Sequence, residues 1–220
     1  MKQLLTSGGI QNESIKKALV SLLGKPISEC SALCISTASY AMPGGIEHAW
    51  KFYAGLESTP VCELGWKSLG VLELTALPSI GKDIWVPVLK KTDVLLVNGG
   101  DPMYLCHWMK ESGLAELLPT FNLVYVGLSA GSMVMTPRIG TAFVEWNTPN
   151  GTDQTLGFVP FAIFPHLNHV MLPDNNLEEA TKWAKEIQIP AYAMDDQTAI
   201  KVVDHSFEVI SEGEWKYFTK

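Results

Sequence analysis

A chain of 220 residues, 47% of them apolar, is long enough to bury a substantial core, and its evenly spread prolines and glycines, without low-complexity runs or fixed-period repeats, predict one α/β domain over residues 1–220. A net charge of -7, with no cluster of lysine or arginine, argues against a nucleic-acid or anionic-membrane surface, and no apolar run approaches membrane-spanning length. Four cysteines without CxxC spacing read as buried reduced thiols, and the opening "MKQLLTSGGI" has too short an apolar stretch for a signal peptide, so a cytoplasmic protein is expected.

Taken in chain order, apolar runs bounded by turn residues predict strands over 3–6, 32–37, 61–64, 94–98, 123–127, 162–165 and 191–194. Helical periodicity falls between them, over 12–23, 46–56, 103–112, 132–136 and 176–187. Alternation of this kind gives a doubly wound, mostly parallel sheet with helices on both faces. The tail "AIKVVDHSFEVISEGEWKYF" reads instead as strand, bend and strand, with the bend over 204–206, and predicts a hairpin finishing one edge. Ligands of such sheets bind beyond the carboxyl ends of the strands, so the loops leaving those ends hold the chemistry.

Three of these loops carry unusual residues. "TSGG", after the first strand, lacks both GxGxxG and a Walker lysine and reads as an ordinary strand-to-helix turn. In "VNGGDP", Gly99 and Gly100 allow backbone N–H groups close to a ligand, while Asp101 and Pro102 suit the cap and first turn of a helix. In "VYVGLSAGSMVM", Ser129 stands between small residues, Gly127, Ala130 and Gly131, where a buried strand must turn sharply into a helix. A tight packing turn has this composition; so does a nucleophile elbow, in which a strained backbone projects the side chain.

A serine nucleophile needs a base, and among five histidines His166 of "FPHLNH" directly follows a predicted strand, whereas His48 and His107 lie in helical stretches and His205 in the terminal bend. His169 completes an HxxH pair, but Pro165 opposes a helix there and no third ligand pattern accompanies it, so no metal is expected. The imidazole in turn needs a carboxylate on its other nitrogen. Asp195 and Asp196 of "AMDDQTAIKV" also follow a strand, and Glu145 of "FVEW" is the competing acid. The resulting order of serine, histidine and acid differs from the serine, acid, histidine order of α/β-hydrolases.

These four segments, "NGGDPMYL", "VGLSAGSMVM", "FPHLNH" and "AMDDQTAIKV", lie in the order and approximate spacing of the motifs of peptidase family S51, which includes the dipeptidase E enzymes and, more distantly, the cyanophycinases. The chain resembles that family over nearly its whole length. The resemblance implies a flavodoxin-like sheet similar to that of class I glutamine amidotransferases. It also implies Ser129 as nucleophile, His166 as general base and Asp196 as the acid, with the N–H groups of Gly100 and Ala130 as oxyanion hole and Gly99 and Asp101 in the substrate loop. Asn98, Asp101 and Ser132 replace a glycine, an asparagine and an alanine of the family pattern. The expected activity is hydrolysis of small peptides through an acyl-enzyme, without metal or organic cofactor. The alternatives are an esterase or amidase on a small non-peptide acyl group, or an inactive relative that binds a small ligand. Recognition of an aspartyl carboxylate calls for a bidentate arginine, and Arg138 is the single arginine, while Lys182 and Lys185 fall in a helical pattern facing water. Strict preference for aspartate is therefore not expected.

Overall fold

The computed structural model describes residues 1–146 and 151–219. Seven strands form one sheet in the order β3-β2-β4-β5-β1-β8-β9, and three form a second sheet in the order β10-β7-β6. The first sheet is built from β1 (Lys2–Thr6), β2 (Ser31–Ile35), β3 (Ser68–Val71), β4 (Val94–Val97), β5 (Val124–Leu128), β8 (Thr198–Val203) and β9 (Ser206–Ser211). Its strands from β3 to β1 are parallel, and β8 and β9 are antiparallel additions at one edge, joined by the expected hairpin bend with Asp204 at φ 53°. The second sheet pairs β6 (Ala162–Phe164) parallel to β7 (Ala191–Met194) and β7 antiparallel to β10 (Trp215–Phe218).

Period-two alternation explains why the central strands are apolar throughout. Leu4, Val94, Leu96, Val124 and Val126 face one layer, with Ile15, Ala18, Leu19 and Leu22 of α1 (Glu13–Leu23) and Phe52 of α2 (Gly45–Ala54). Leu5, Leu95, Val97 and Tyr125 face the other, with Trp85 and Leu89 of α3 (Lys82–Leu89), Leu105 and Met109 of α4 (Pro102–Glu111) and Leu114 of α5 (Leu114–Leu117). That second layer also contains Ile163 of β6 and Met194 of β7, so the small sheet lies on the same side. Its opposite face, Ala162, Phe164, Ala191 and Ala193, is covered by Ala180, Trp183 and Ile187 of α7 (Leu177–Ile187). All four cysteines are buried as free thiols.

The structure departs from the sequence expectations at four places. Residues 61–64 form no strand: Val61 and Cys62 are buried in a turn, and the strand lies at β3, whose exposed positions and Gly70 carry no apolar alternation because it is an edge with one neighbour. Helix α3 was hidden by Pro87, which sits inside it. The helix after the elbow, α6 (Ala130–Met133), is a single turn, shorter than the apolar pattern suggested. Further, β10 leaves the hairpin edge and joins the small sheet beside β7.

Candidate active site

The carboxyl ends of β1, β4, β5, β6 and β7 converge, and each delivers one part of the site. At the end of β5, Ser129 adopts φ 49° and ψ -112°, a conformation that L-residues avoid. Its neighbours explain how the chain tolerates it. A Cβ on Gly127 would strike the carbonyl of Gly131, and a Cβ on Gly131 would strike that of Val97, so only glycines allow strand and helix to close this tightly. Polar ties then fix the turn: Ser129 N–H donates to the Thr6 carbonyl at 3.0 Å, Ser132 Oγ to the same carbonyl at 2.8 Å, and the Tyr125 hydroxyl to the Gly131 carbonyl at 2.6 Å. Ser132, where the family pattern has alanine, thus fastens α6 to the end of β1.

His166 follows β6, with φ 57°. It shares hydrogen bonds with Ser129 Oγ through Nε2 at 2.8 Å and with Asp196 Oδ1 through Nδ1 at 2.6 Å. Asp196 follows β7, the strand paired with β6 in parallel, and Leu167 N–H donates to the Met194 carbonyl at 2.9 Å, which locks the two strand ends together. The structure therefore brings Ser129, His166 and Asp196 into one line. The competing acids lie elsewhere. Asp195 accepts from Gln197 N–H, Thr198 Oγ1 and Glu214 N–H, which fixes the turn into β8, and Glu145 is exposed.

Two further residues complete this network: Ser7, expected only in an ordinary turn, and His169, expected only as half of an HxxH pair. Ser7, fully buried at the end of β1, accepts from His166 N–H at 2.7 Å and donates to Asp196 Oδ1 at 3.0 Å. Beside it, a Cβ on Gly8 would overlap the Asp196 side chain, so "TSGG" owes its glycine to this close approach. His169 Nε2 lies 3.6 Å from Asp196 Oδ2. Burial would raise the Asp196 pKa, but hydrogen bonds from His166 and Ser7 and the nearby His166 and His169 hold it below the ordinary aspartate value. Placement at a strand's carboxyl end was the signal that would have singled out Ser7.

The glycine loop after β4 faces Ser129. Asn98, in place of a family glycine, donates through Nδ2 to Ser36 Oγ and Ser39 Oγ and accepts from Gly99 N–H at 2.8 Å. Ser39 Oγ donates to the Gly99 carbonyl at 3.0 Å. Gly100, at φ 130°, lies where a Cβ would collide with Ala38, and among the described residues its N–H has no acceptor. The first N–H of α6, that of Ala130, likewise lacks an intrahelical partner. Asp101, expected in the substrate loop, is 2% exposed and caps α4 by accepting from Tyr104 N–H at 2.7 Å, while its other oxygen accepts from Trp146 N–H at 2.8 Å. It does not line the cavity. That cavity, of about 400 Å³, is bounded by Gly99, Gly100, Ser129 and His166 on one side and by Met42, His48, Glu57, Thr59 and Leu172 among others.

Residues 3–210 match peptidase family S51. The chain belongs to that family. Sequence relatives include peptidase E of Nostoc sp., 27% identical over 131 residues covering 56% of this chain and 54% of that protein. Peptidase E of Salmonella arizonae is 24% identical over 176 residues, covering 77% of this chain and 71% of that protein. The match thus spans little more than half the length of the Nostoc relative. A crystal structure of a candidate peptidase E protein from Listeria monocytogenes EGD-e superposes with a TM-score of 0.67 over 96% of this chain and 98% of that one, at 20% identity, which establishes a shared fold. Among the S51 motifs, the elbow, the histidine segment and the late acidic segment meet in this chain at one point. Among the described residues no helix is long and apolar enough to cross a membrane.

Proposed function

We propose that this chain is a serine peptidase that hydrolyses short peptides through an acyl-enzyme, within one α/β domain. The observation that carries the reading is the continuous hydrogen-bonded line from Ser129 Oγ to His166 Nε2 at 2.8 Å and from His166 Nδ1 to Asp196 Oδ1 at 2.6 Å. In this mechanism Ser129 Oγ attacks the scissile carbonyl carbon while its proton passes to His166 Nε2. Asp196 accepts from Nδ1–H, which fixes the ring tautomer and offsets the positive charge that develops. The carbonyl oxygen becomes an oxyanion beside the N–H groups of Gly100 and Ala130. His166 then gives its proton to the leaving amine as the C–N bond breaks, and water, deprotonated by the same ring, releases the acid and restores Ser129. Ser7 is a positioning residue, since its hydroxyl joins the backbone of His166 to the carboxylate that orients the ring.

A cavity of about 400 Å³ lies at the small end of ligand pockets, which run to about 1,000 Å³, and suits a dipeptide better than a protein loop. Four free thiols fit a reducing compartment, and we place the enzyme in the cytoplasm. The test is treatment with a serine-directed fluorophosphonate followed by peptide mapping. Labelling of Ser129 that a dipeptide slows, together with dipeptide turnover by the same preparation, is the expected result. Ester turnover without any peptide turnover would move the activity to the esterase class, and absence of both labelling and turnover would reject the serine-hydrolase reading.

A further inference from the structure

The lining of the cavity carries charge that the proposed chemistry does not use. Glu57, on the loop after α2, lines the cavity, and its side chain retains only 23% of its accessible surface. Its Oε1 accepts from Nδ1 of His48, on α2, at 3.2 Å, while among the described residues nothing donates to Oε2. The ring orients the carboxylate, and Lys51 of α2 lies within electrostatic reach of it without lining the cavity. Neither lysine nor arginine is among the residues that line it. Arg138 is unavailable, since its Nε and Nη2 clamp Asp153 at 2.9 and 3.1 Å and it lies outside the lining.

A carboxylate that lines the cavity with one oxygen unpaired favours a cation and repels an anion. From this we infer that Glu57 is the specificity determinant of the cavity: its carboxylate receives a positively charged nitrogen of the substrate, so the site prefers cationic short peptides over acidic ones. The nitrogen is the α-ammonium of the first residue or the terminal group of a basic side chain. Met42, Pro43, Leu128 and Leu172, also in the lining, supply apolar surface for the remainder.

The inference rests on the proposed function for the identity of the substrate as a peptide, so binding and turnover are measured separately. In the Ser129→Ala background, calorimetry compares Ala-Leu with its N-acetyl form, and N-acetyl-Lys-Leu with N-acetyl-Asp-Leu. A charge-assisted hydrogen bond predicts that one cationic member binds about 10- to 100-fold tighter than its partner. The first pair reports the α-ammonium and the second the side chain. Glu57→Gln is expected to erase that ratio, and Glu57→Lys to turn the second pair towards the aspartyl peptide. A ratio that survives in Glu57→Gln overturns the inference, as does equal or undetectable binding of all four peptides. If binding follows the prediction while the wild-type protein neither turns over these peptides nor takes the phosphonate, the serine-peptidase reading falls and the role of Glu57 stands.

Discussion

The two halves of the site are held in place by different physics. On the large sheet, the elbow at Ser129 is set first by sterics, since two glycines permit a contact that any Cβ would prevent and the serine is kept at φ 49°, and hydrogen bonds from Ser129, Ser132 and Tyr125 then fasten it. On the small sheet, His166 and Asp196 are fixed by polar contacts, through the parallel pairing of β6 with β7 and through Ser7, which reaches across from β1. Sterics set a position that is rigid and independent of solution conditions. Polar contacts set one that depends on protonation and on each partner being present.

The largest effect is expected at the steric half. Ser129→Ala removes the attacking oxygen and lowers kcat by roughly a thousandfold to a millionfold, with residual rate from binding and the oxyanion donors. The alanine keeps a Cβ, so the backbone strain stays. Ser129→Gly removes both. Strain of this type costs about 1–3 kcal/mol, and glycine costs roughly 0.5–1 kcal/mol through the unfolded chain, so a net gain of about 1 kcal/mol, or about 2–4 °C in Tm, is expected. Turnover and melting on one preparation check both statements. A Ser129→Gly protein that melts below Ser129→Ala would contradict the steric account.

On the polar half, the adjacent aspartates offer a matched pair. Asp196→Asn leaves the shape but presents an amide to Nδ1, and a fall in kcat of roughly 10³- to 10⁴-fold is expected. Asp195→Asn keeps one oxygen as the acceptor for Gln197 and Thr198 but loses the acceptor for Glu214 N–H and loosens a turn, with a loss of less than about tenfold. Similar losses in the two variants would point to a Ser129 and His166 pair that works without the carboxylate.

How far each half could be read in advance follows from the same distinction. Steric requirements leave local marks: small residues around Ser129 announced a sharp strand-to-helix turn, and Asp101 with Pro102 announced the start of α4, because a cap and a fixed φ act within one turn. Continuous apolar runs located β4, β5 and β7, since strands covered on both faces have no polar positions. Polar ties leave no such mark. Ser7 lies 159 residues from His166, and neither "TSGG" nor "FPHLNH" encodes the other. The separation of β6 and β7 into their own sheet is a matter of long-range packing against α7 and was equally invisible, as was the edge strand β3. His48 and Glu57 come together because α2 and its following loop fold back to the cavity, which no motif records.

A smaller effect belongs to the long-range tie. Ser7→Ala deprives the His166 N–H of its acceptor and Asp196 of a donor in a fully buried place. Displacement of the ring by a fraction of an ångström predicts a fall in kcat of about 10- to 100-fold with KM little changed. A general loss of structure would instead raise KM and lower kcat together, so the split between them separates positioning from scaffolding. Ser7→Cys, which keeps a weak donor and acceptor in nearly the same volume, is expected to recover part of the rate, and recovery equal to that of alanine would count against the hydrogen bonds.

The smallest effect is the one that only the polar half can show. Asp196 has its folded pKa held below the ordinary value of about 3.9, so its native contacts add stability wherever the carboxylate is charged, which means above about pH 4. As pH falls through the folded value, the carboxyl is protonated in both states and that contribution disappears. Other depressed carboxylates, such as Asp204 and Glu212, are shared by wild type and Asp196→Asn and cancel in the difference between them. Urea midpoints of the two proteins are therefore expected to differ at about pH 5 and to converge below about pH 4. Ser129→Ala, altered in the half that sterics hold, provides the control: its difference from wild type is expected to stay flat across the same range. A flat difference for Asp196→Asn as well would mean that the carboxylate contributes orientation without stability, and a sloping difference for Ser129→Ala would mean that the two halves are not held independently.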